Sequence, residues 1–189
     1  IDDSSSDQSN VIITQFSKKD QRIKVYGNPG SGIVDALNHG ITEANSEFIA
    51  RMDSDDVMHP ARLQKQLKLL QAREDLGLVS CLVNYVGQAD HNGRGYKAYV
   101  NWTNKIKSHS EISMNRFIES PFAHPSVMFR KELISKYGGY QNGNFPEDYE
   151  LWLRFLKNNV KMEKVSSILL DWYDQKNRLS RIDSRYELG

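Results

Sequence analysis

The stretch LGLVSCLVNYV, residues 76–86, is an almost unbroken apolar run. A strand with one wet face alternates apolar and polar residues, whereas one that does not alternate is covered on both faces. The run is far short of the roughly 20 residues a membrane-spanning helix needs. It therefore demands a sheet with helices on both sides. The sequence upstream supplies them. Residues 7–18 place Val11, Ile12 and Phe16 at helical spacing, with Ser6 as the N-cap. RIKVYG (22–27) alternates as a strand does and runs into the turn GNPGSG. A helical period returns over 33–44, EFIARM (47–52) is the next strand, and 60–75 is an amphipathic helix. That helix has Pro60 near its first turn and Leu63, Leu67 and Leu70 on one face. This alternation predicts an α/β fold, an αβα sandwich around a mainly parallel central sheet.

The second half is less regular. DHNGRG (90–95) predicts a turn or flexible loop, residues 103–119 a helix, SVMF (126–129) a short strand and 146–159 a clear helix. A last strand falls within KVSSILLDWY (164–173). No internal repeat and no linker divides the 189 residues, which read as one domain. A net charge of +1 creates no overall field to attract nucleic acid, and none is expected as a partner. The one cysteine, Cys81, lies in the apolar run with no intrachain partner, so a reducing cytoplasm is the simpler setting.

The chemistry concentrates in ARMDSDDVMHP (50–60), where Asp53, Asp55 and Asp56 follow a strand end. In doubly wound sheets ligands bind at the carboxyl ends of the strands. Neighbouring carboxylates repel, and a divalent cation with hard oxygen preferences, Mg²⁺ or Mn²⁺, relieves that repulsion. A solvated acidic turn capping the next helix is the plainer use of such a triplet. A second acidic turn, IDDSSSD, places Asp2 and Asp3 at the same sheet edge. The glycine-rich GNPGSG offers backbone N–H groups to a phosphate, though it has no Walker lysine. In FPEDYELWLRF, Glu147 and Asp148 open a helix, where the macrodipole would hold Asp148 ionised as a general base.

Taken in order, IDDSSSD, GIVDALNHGITEANSEFIARMDSDDVMHPARLQKQ, HPSVMFRKE and GGYQNGNFPEDYELWLR resemble glycosyltransferase family 2, the inverting enzymes with the GT-A fold. The resemblance implies sugar transfer from a nucleotide-diphosphate sugar to a carbohydrate or lipid-linked acceptor, in glycan or polysaccharide biosynthesis. It implies a nucleotide-binding half (1–86) and an acceptor-binding half (87–189). Asp2 and Asp3 would meet the base and ribose, with Gly32 and Asn38 in the same nucleotide-binding set. Asp53 would lie near the ribose and metal, Asp55 on the metal, and Asp148 would be the catalytic base. His124, Glu147 and Trp152 would lie near the sugar or acceptor. His124 has an equal claim to a purely structural place, and the role of Asp56 is open.

Two departures stand out. The family carries a strand and helix ahead of its first acidic turn, a unit of about 30 residues. This sequence does not contain it, so the expectation is a piece of a longer chain. Many members also have a histidine after the last strand. DWYDQKNRLSR has none, leaving Asp174, Gln175 or Lys176 to substitute. Two other functions compete: a catalytically silent nucleotide-sugar or carbohydrate-binding module on the same fold, and a nucleotidyltransferase. The latter needs a basic glycine-rich phosphate loop that is not seen here. GYKAYVNWTNKIK could meet a lipid-linked acceptor at the cytoplasmic face of a membrane, although a solvated loop and helix is the simpler reading. Substrate specificity is expected in 87–102 and 139–146.

Overall fold

A computed structural model describes residues 1–87 and 91–174. Along the chain it contains α1 (Ser9–Lys19), α2 (Gly32–Glu43), β1 (Phe48–Ala50), β2 (Val57–Met58), α3 (Arg62–Ala72) and β3 (Leu76–Val86). Then follow α4 (His91–Thr103), α5 (His109–Asn115), a 3₁₀ turn at His124–Ser126, β4 (Met128–Arg130), α6 (Glu132–Tyr137), α7 (Glu147–Lys157) and β5 (Lys161–Tyr173). The strands form one sheet in the order β1-β4-β3-β5-β2.

The apolar run is β3 at the sheet's centre, with residues 76–81 all buried. Its pleat explains the lack of alternation. Leu78 pairs with Phe129 and packs against α7 and α2, whereas Val79 pairs with Met128 and packs against Leu70 of α3. Helices therefore cover both faces, as an αβα sandwich requires. The sheet is mixed rather than mainly parallel. β3–β5 is parallel and is the longest ladder, while β1–β4, β3–β4 and β2–β5 are antiparallel.

Several local expectations give way. RIKVYG forms no strand; two hydrogen bonds, from the Asp2 amide to the Tyr26 carbonyl and from the Asn28 amide to the Asp2 carbonyl, make an isolated bridge between Asp2 and Gly27. Alternation alone builds no ladder where no further strand lies alongside among the described residues. Helix α1 forms, but Gln8 rather than Ser6 precedes it without a side-chain cap. Val11, Ile12 and Phe16 stay exposed. The segment 91–95 is the start of α4 rather than a loop, and 104–108 separates α4 from a short α5. Ser108 and Glu111 close a capping box there, which fixes where α5 begins.

In α3 the buried stripe is Arg62, Gln66 and Leu70, at i, i+4 and i+8, while Leu63 is exposed. Polar residues occupy this interior because strand ends need donors. Arg62 donates to the Arg51 carbonyl (2.8 Å), to Val127 (3.4 Å) and to Gln66 Oε1 (3.0 Å). Gln66 passes its own amide hydrogens to Ser126 (2.8 Å) and Val79 (3.3 Å). Hydrogen bonds to a charged donor contribute about 1.5–3 kcal/mol each. The pair thus ties α3 to the ends of β1 and β4, from which the acidic loop departs.

Candidate active site

The loop 51–56 leaves β1 where the Arg51 amide donates to Val127 at 3.1 Å, just before β4. Its three carboxylates, Asp53, Asp55 and Asp56, each offer an oxygen within 4.8 Å of the others. Asp53 faces the Arg51 guanidinium in an ion pair. Buried Asp56 receives the Tyr173 amide at 2.8 Å on Oδ1. That bond clips the loop to the end of β5 and gives Asp56 a structural task. Asp55 is half-buried and carries no hydrogen bond or ion pair among the described residues. Closely spaced hard oxygens, one uncommitted and one paired with arginine, fit Mg²⁺ or Mn²⁺ held by one or two carboxylates with a substrate's phosphates.

The opposite wall is the start of α7. Pro146 enters in extended conformation, and Glu147 and Asp148 are both buried. Asp148 Oδ1 accepts the Tyr149 amide at 2.8 Å. Burial, reinforced by the charge of Glu147, nevertheless raises the Asp148 carboxyl to about 7 against the opposing pull of that amide and of Arg51. The helix end does not hold Asp148 fully ionised at neutral pH; desolvation outweighs it. A carboxyl poised there is well matched to general-base work near pH 7.

His124 packs beside the start of α7. Its Nε2 is 2.8 Å from the Tyr140 hydroxyl and its Nδ1 is 3.8 Å from Glu147 Oε1. Burial, with the Arg51 charge, depresses its pKa far below the ordinary range, so the imidazole is neutral. His124, Glu147 and Asp148 also bring potential ligand atoms within 4.8 Å of one another. Trp152 is 0% exposed, packed edge-on against Phe122, His124, Phe129 and Tyr140. It supports the site from beneath and presents no face on which a sugar could stack.

Arg51 joins the two walls. Beyond its contact with Asp53, its charge acts on His124, Tyr140 and Asp148, and Tyr140 also feels Asp53, Glu147 and Asp148. Tyr140 is in turn fixed by Asn38 of α2, which donates to its carbonyl (2.9 Å) and accepts its amide (3.0 Å). Sequence reasoning missed Arg51. Its signal was a charged residue inside EFIARM, at a position where a buried strand end calls for an apolar one.

The first acidic turn is built as a brace. Asp3 accepts from Asn28 Nδ2 (2.8 Å) and from the Gly32 amide (3.0 Å), and Asp2 accepts from Ser5 and Asn10. Gly32 has φ +80°, which favours glycine there. The Ser31 and Gly30 amides are taken by Asp35 and Asn28. The N–H groups expected to approach a phosphate are thus engaged by side chains. Next to Tyr173, whose amide holds Asp56, Asp174 accepts the Tyr85 hydroxyl at 2.6 Å, while Gln175 and Lys176 lie outside the described residues. His59 and Asp171, also unforeseen, meet at 3.0 Å where β2 pairs with β5.

Comparison with known proteins gives the chain's family and fold. The model of the family "Glycosyl transferase family 2" matches residues 1–138. The O-antigen biosynthesis glycosyltransferase WbnJ of Escherichia coli is 34% identical over 162 residues, covering 85% of this chain and 60% of its own length. The UDP-Gal:α-D-GlcNAc-diphosphoundecaprenol β-1,3-galactosyltransferase of Escherichia coli is 31% identical, covering 79% of this chain and 52% of its own. The chain thus spans little more than half of each. Among solved structures, the mannosyltransferase PcManGT from Pyrobaculum calidifontis, in complex with GDP-Man and Mn²⁺, superposes with a TM-score of 0.67 at 16% identity. It covers 93% of this chain and 47% of that one. S. aureus TarS in complex with UDP gives 0.64 at 17% identity, covering 93% and 50%. At those identities the likeness establishes the GT-A fold. No helix among the described residues is long and apolar enough to cross a membrane.

Proposed function

Because this chain belongs to glycosyl transferase family 2, we propose that it carries the catalytic core of an inverting, metal-dependent glycosyltransferase. The donor is a nucleotide-diphosphate sugar and the acceptor a carbohydrate or lipid-linked hydroxyl, at the cytoplasmic face of a membrane, in polysaccharide assembly. The observation that carries this reading is the buried group around Tyr140: its hydroxyl lies 2.8 Å from His124, which lies 3.8 Å from Glu147, and the charges of Arg51, Asp53, Glu147 and Asp148 all act on it.

In this reading Asp55 and Asp53 would hold Mg²⁺ or Mn²⁺, which would supply positive charge to offset the negative charge building on the departing diphosphate. Asp148 takes the proton of the acceptor hydroxyl, on the face of the anomeric carbon opposite the leaving group. A single displacement then inverts that carbon and needs no covalent enzyme intermediate. Burial, reinforced by the charge of Glu147, keeps Asp148 basic enough to accept the proton. Asp2 and Asp3 meet the base and ribose, with Gly32 shaping the turn and Asn38 holding Tyr140 in place. His124 lies near the transferred sugar.

A thermal-shift screen of nucleotide-diphosphate sugars with and without Mn²⁺ tests this. One donor class should raise Tm by several degrees at 100 times its Kd, since saturation there adds about 2.7 kcal/mol. The shift should need Mn²⁺ and vanish in Asp55→Asn. A donor that binds without ever being turned over would point instead to a silent binding module.

A further inference from the structure

Among the described residues, Arg51 is a buried, strongly basic side chain beside the acidic loop for which the reaction outlined above gives no task. Its side chain is only 8% exposed. Its backbone is pinned at both ends, by the amide bond to Val127 and by the Arg62 guanidinium on its carbonyl. One guanidinium nitrogen, Nη1, faces Asp53, but Nε is buried with no hydrogen-bond acceptor among the described residues. A guanidinium never gives up its proton and presents donors in a planar fork. A buried N–H without a protein acceptor weakens the fold and calls for an explanation, a role in the site's chemistry being one.

Position narrows what that role is. Asp53 belongs to the loop that also carries Asp55. The Arg51 charge also acts on Asp148, at the start of α7. A donor whose cation rests on Asp55 and whose anomeric carbon faces Asp148 has the linkage between them, the β-phosphate, beside Arg51. A phosphate entering a cleft lined by Asp53, Glu147 and Asp148 meets carboxylate repulsion, which a fixed guanidinium opposes through charge-assisted hydrogen bonds. Resting on the glycosyltransferase reading, we propose that Arg51 is a substrate-binding residue whose guanidinium takes up an oxygen of the donor's β-phosphate.

The test is calorimetric binding of UMP, UDP, GMP and GDP, each with Mn²⁺, to the wild-type chain and to Arg51→Met. The wild type should bind one diphosphate more tightly than its monophosphate. Arg51→Met should lose about 10- to 100-fold in affinity for that diphosphate while its monophosphate affinity stays within about twofold, as loss of a charge-assisted hydrogen bond dictates. Equal losses for both nucleotides, or none, would overturn the assignment. Wild-type protein that binds neither diphosphate would refute the glycosyltransferase reading itself, whereas a wild type that binds and a variant that binds as well refutes Arg51 alone. Should Arg51→Met fail to fold, Arg51→Lys carries the test. It retains the charge without the fork, so a diphosphate-selective loss of at least fivefold supports the proposal and unchanged selectivity overturns it.

Discussion

Asp148 is set by two opposed influences. Burial and the Glu147 charge favour its protonated form, and Arg51 and the Tyr149 amide favour its charge, with the first pair prevailing. Its folded pKa of about 7 lies above the ordinary carboxyl value, so the folded chain binds a proton between about pH 4 and pH 7 that the unfolded chain has released. Stability from this group is therefore greatest below pH 4 and is lost as pH rises through 7, while the basic form needed for catalysis appears over the same rise. Two outcomes follow for Asp148→Asn. Turnover should fall about 10²- to 10⁴-fold, with the wild-type kcat/KM climbing through about pH 7. The variant's Tm should exceed the wild type's at pH 8, and that gain should disappear near pH 4. A lower Tm at pH 8 or a flat pH profile would show that burial does not govern this carboxyl. That Asp148 stands in a helix's first turn was legible from FPEDYELW, but its raised pKa was not. Helix-start sequence reveals a dipole, and only the fold reveals how thoroughly a residue is desolvated.

Among elements, α3 departs most from its sequence pattern. Leucines at 63, 67 and 70 suggest an apolar stripe, yet Leu63 faces solvent and Arg62 is wholly buried. The helix is rotated because the carbonyls of Arg51 and Val127, at the ends of β1 and before β4, require a donor from above the sheet. No periodicity reports a need that arises from another segment's backbone. Arg62→Met should cost roughly 3 kcal/mol or more, as buried acceptors lose a charged partner, and Leu63→Ala should stay within about 1 kcal/mol. Urea denaturation measures both: the midpoint should fall in the first with little change in slope. Equal effects of the two would contradict the rotation. By contrast β3, α7 and β5 were readable. Their buried residues, Leu78, Leu151 and Leu170 among them, meet the core whichever neighbours surround them.

For the whole molecule, local sequence foretold the layers but not the sheet's directions. The short strands β1, β2 and β4 carry two or three residues each, too few to encode orientation, and three of the four ladders are antiparallel. RIKVYG shows the same limit, since a strand pattern becomes a strand only beside a partner. The candidate site depends less on those directions than on where β1 ends, where the segment before β4 turns and where α7 begins, whose charges act together around Arg51 and Tyr140. The division of labour across that meeting point is the central claim, and Mn²⁺ binding followed by electron paramagnetic resonance, alongside release of nucleoside diphosphate from the donor, tests it most directly. Asp55→Asn should lose both Mn²⁺ binding and turnover, while Asp148→Asn should bind Mn²⁺ as the wild type does and lose turnover alone. Mn²⁺ affinity untouched in Asp55→Asn, or turnover intact in Asp148→Asn, would contradict it.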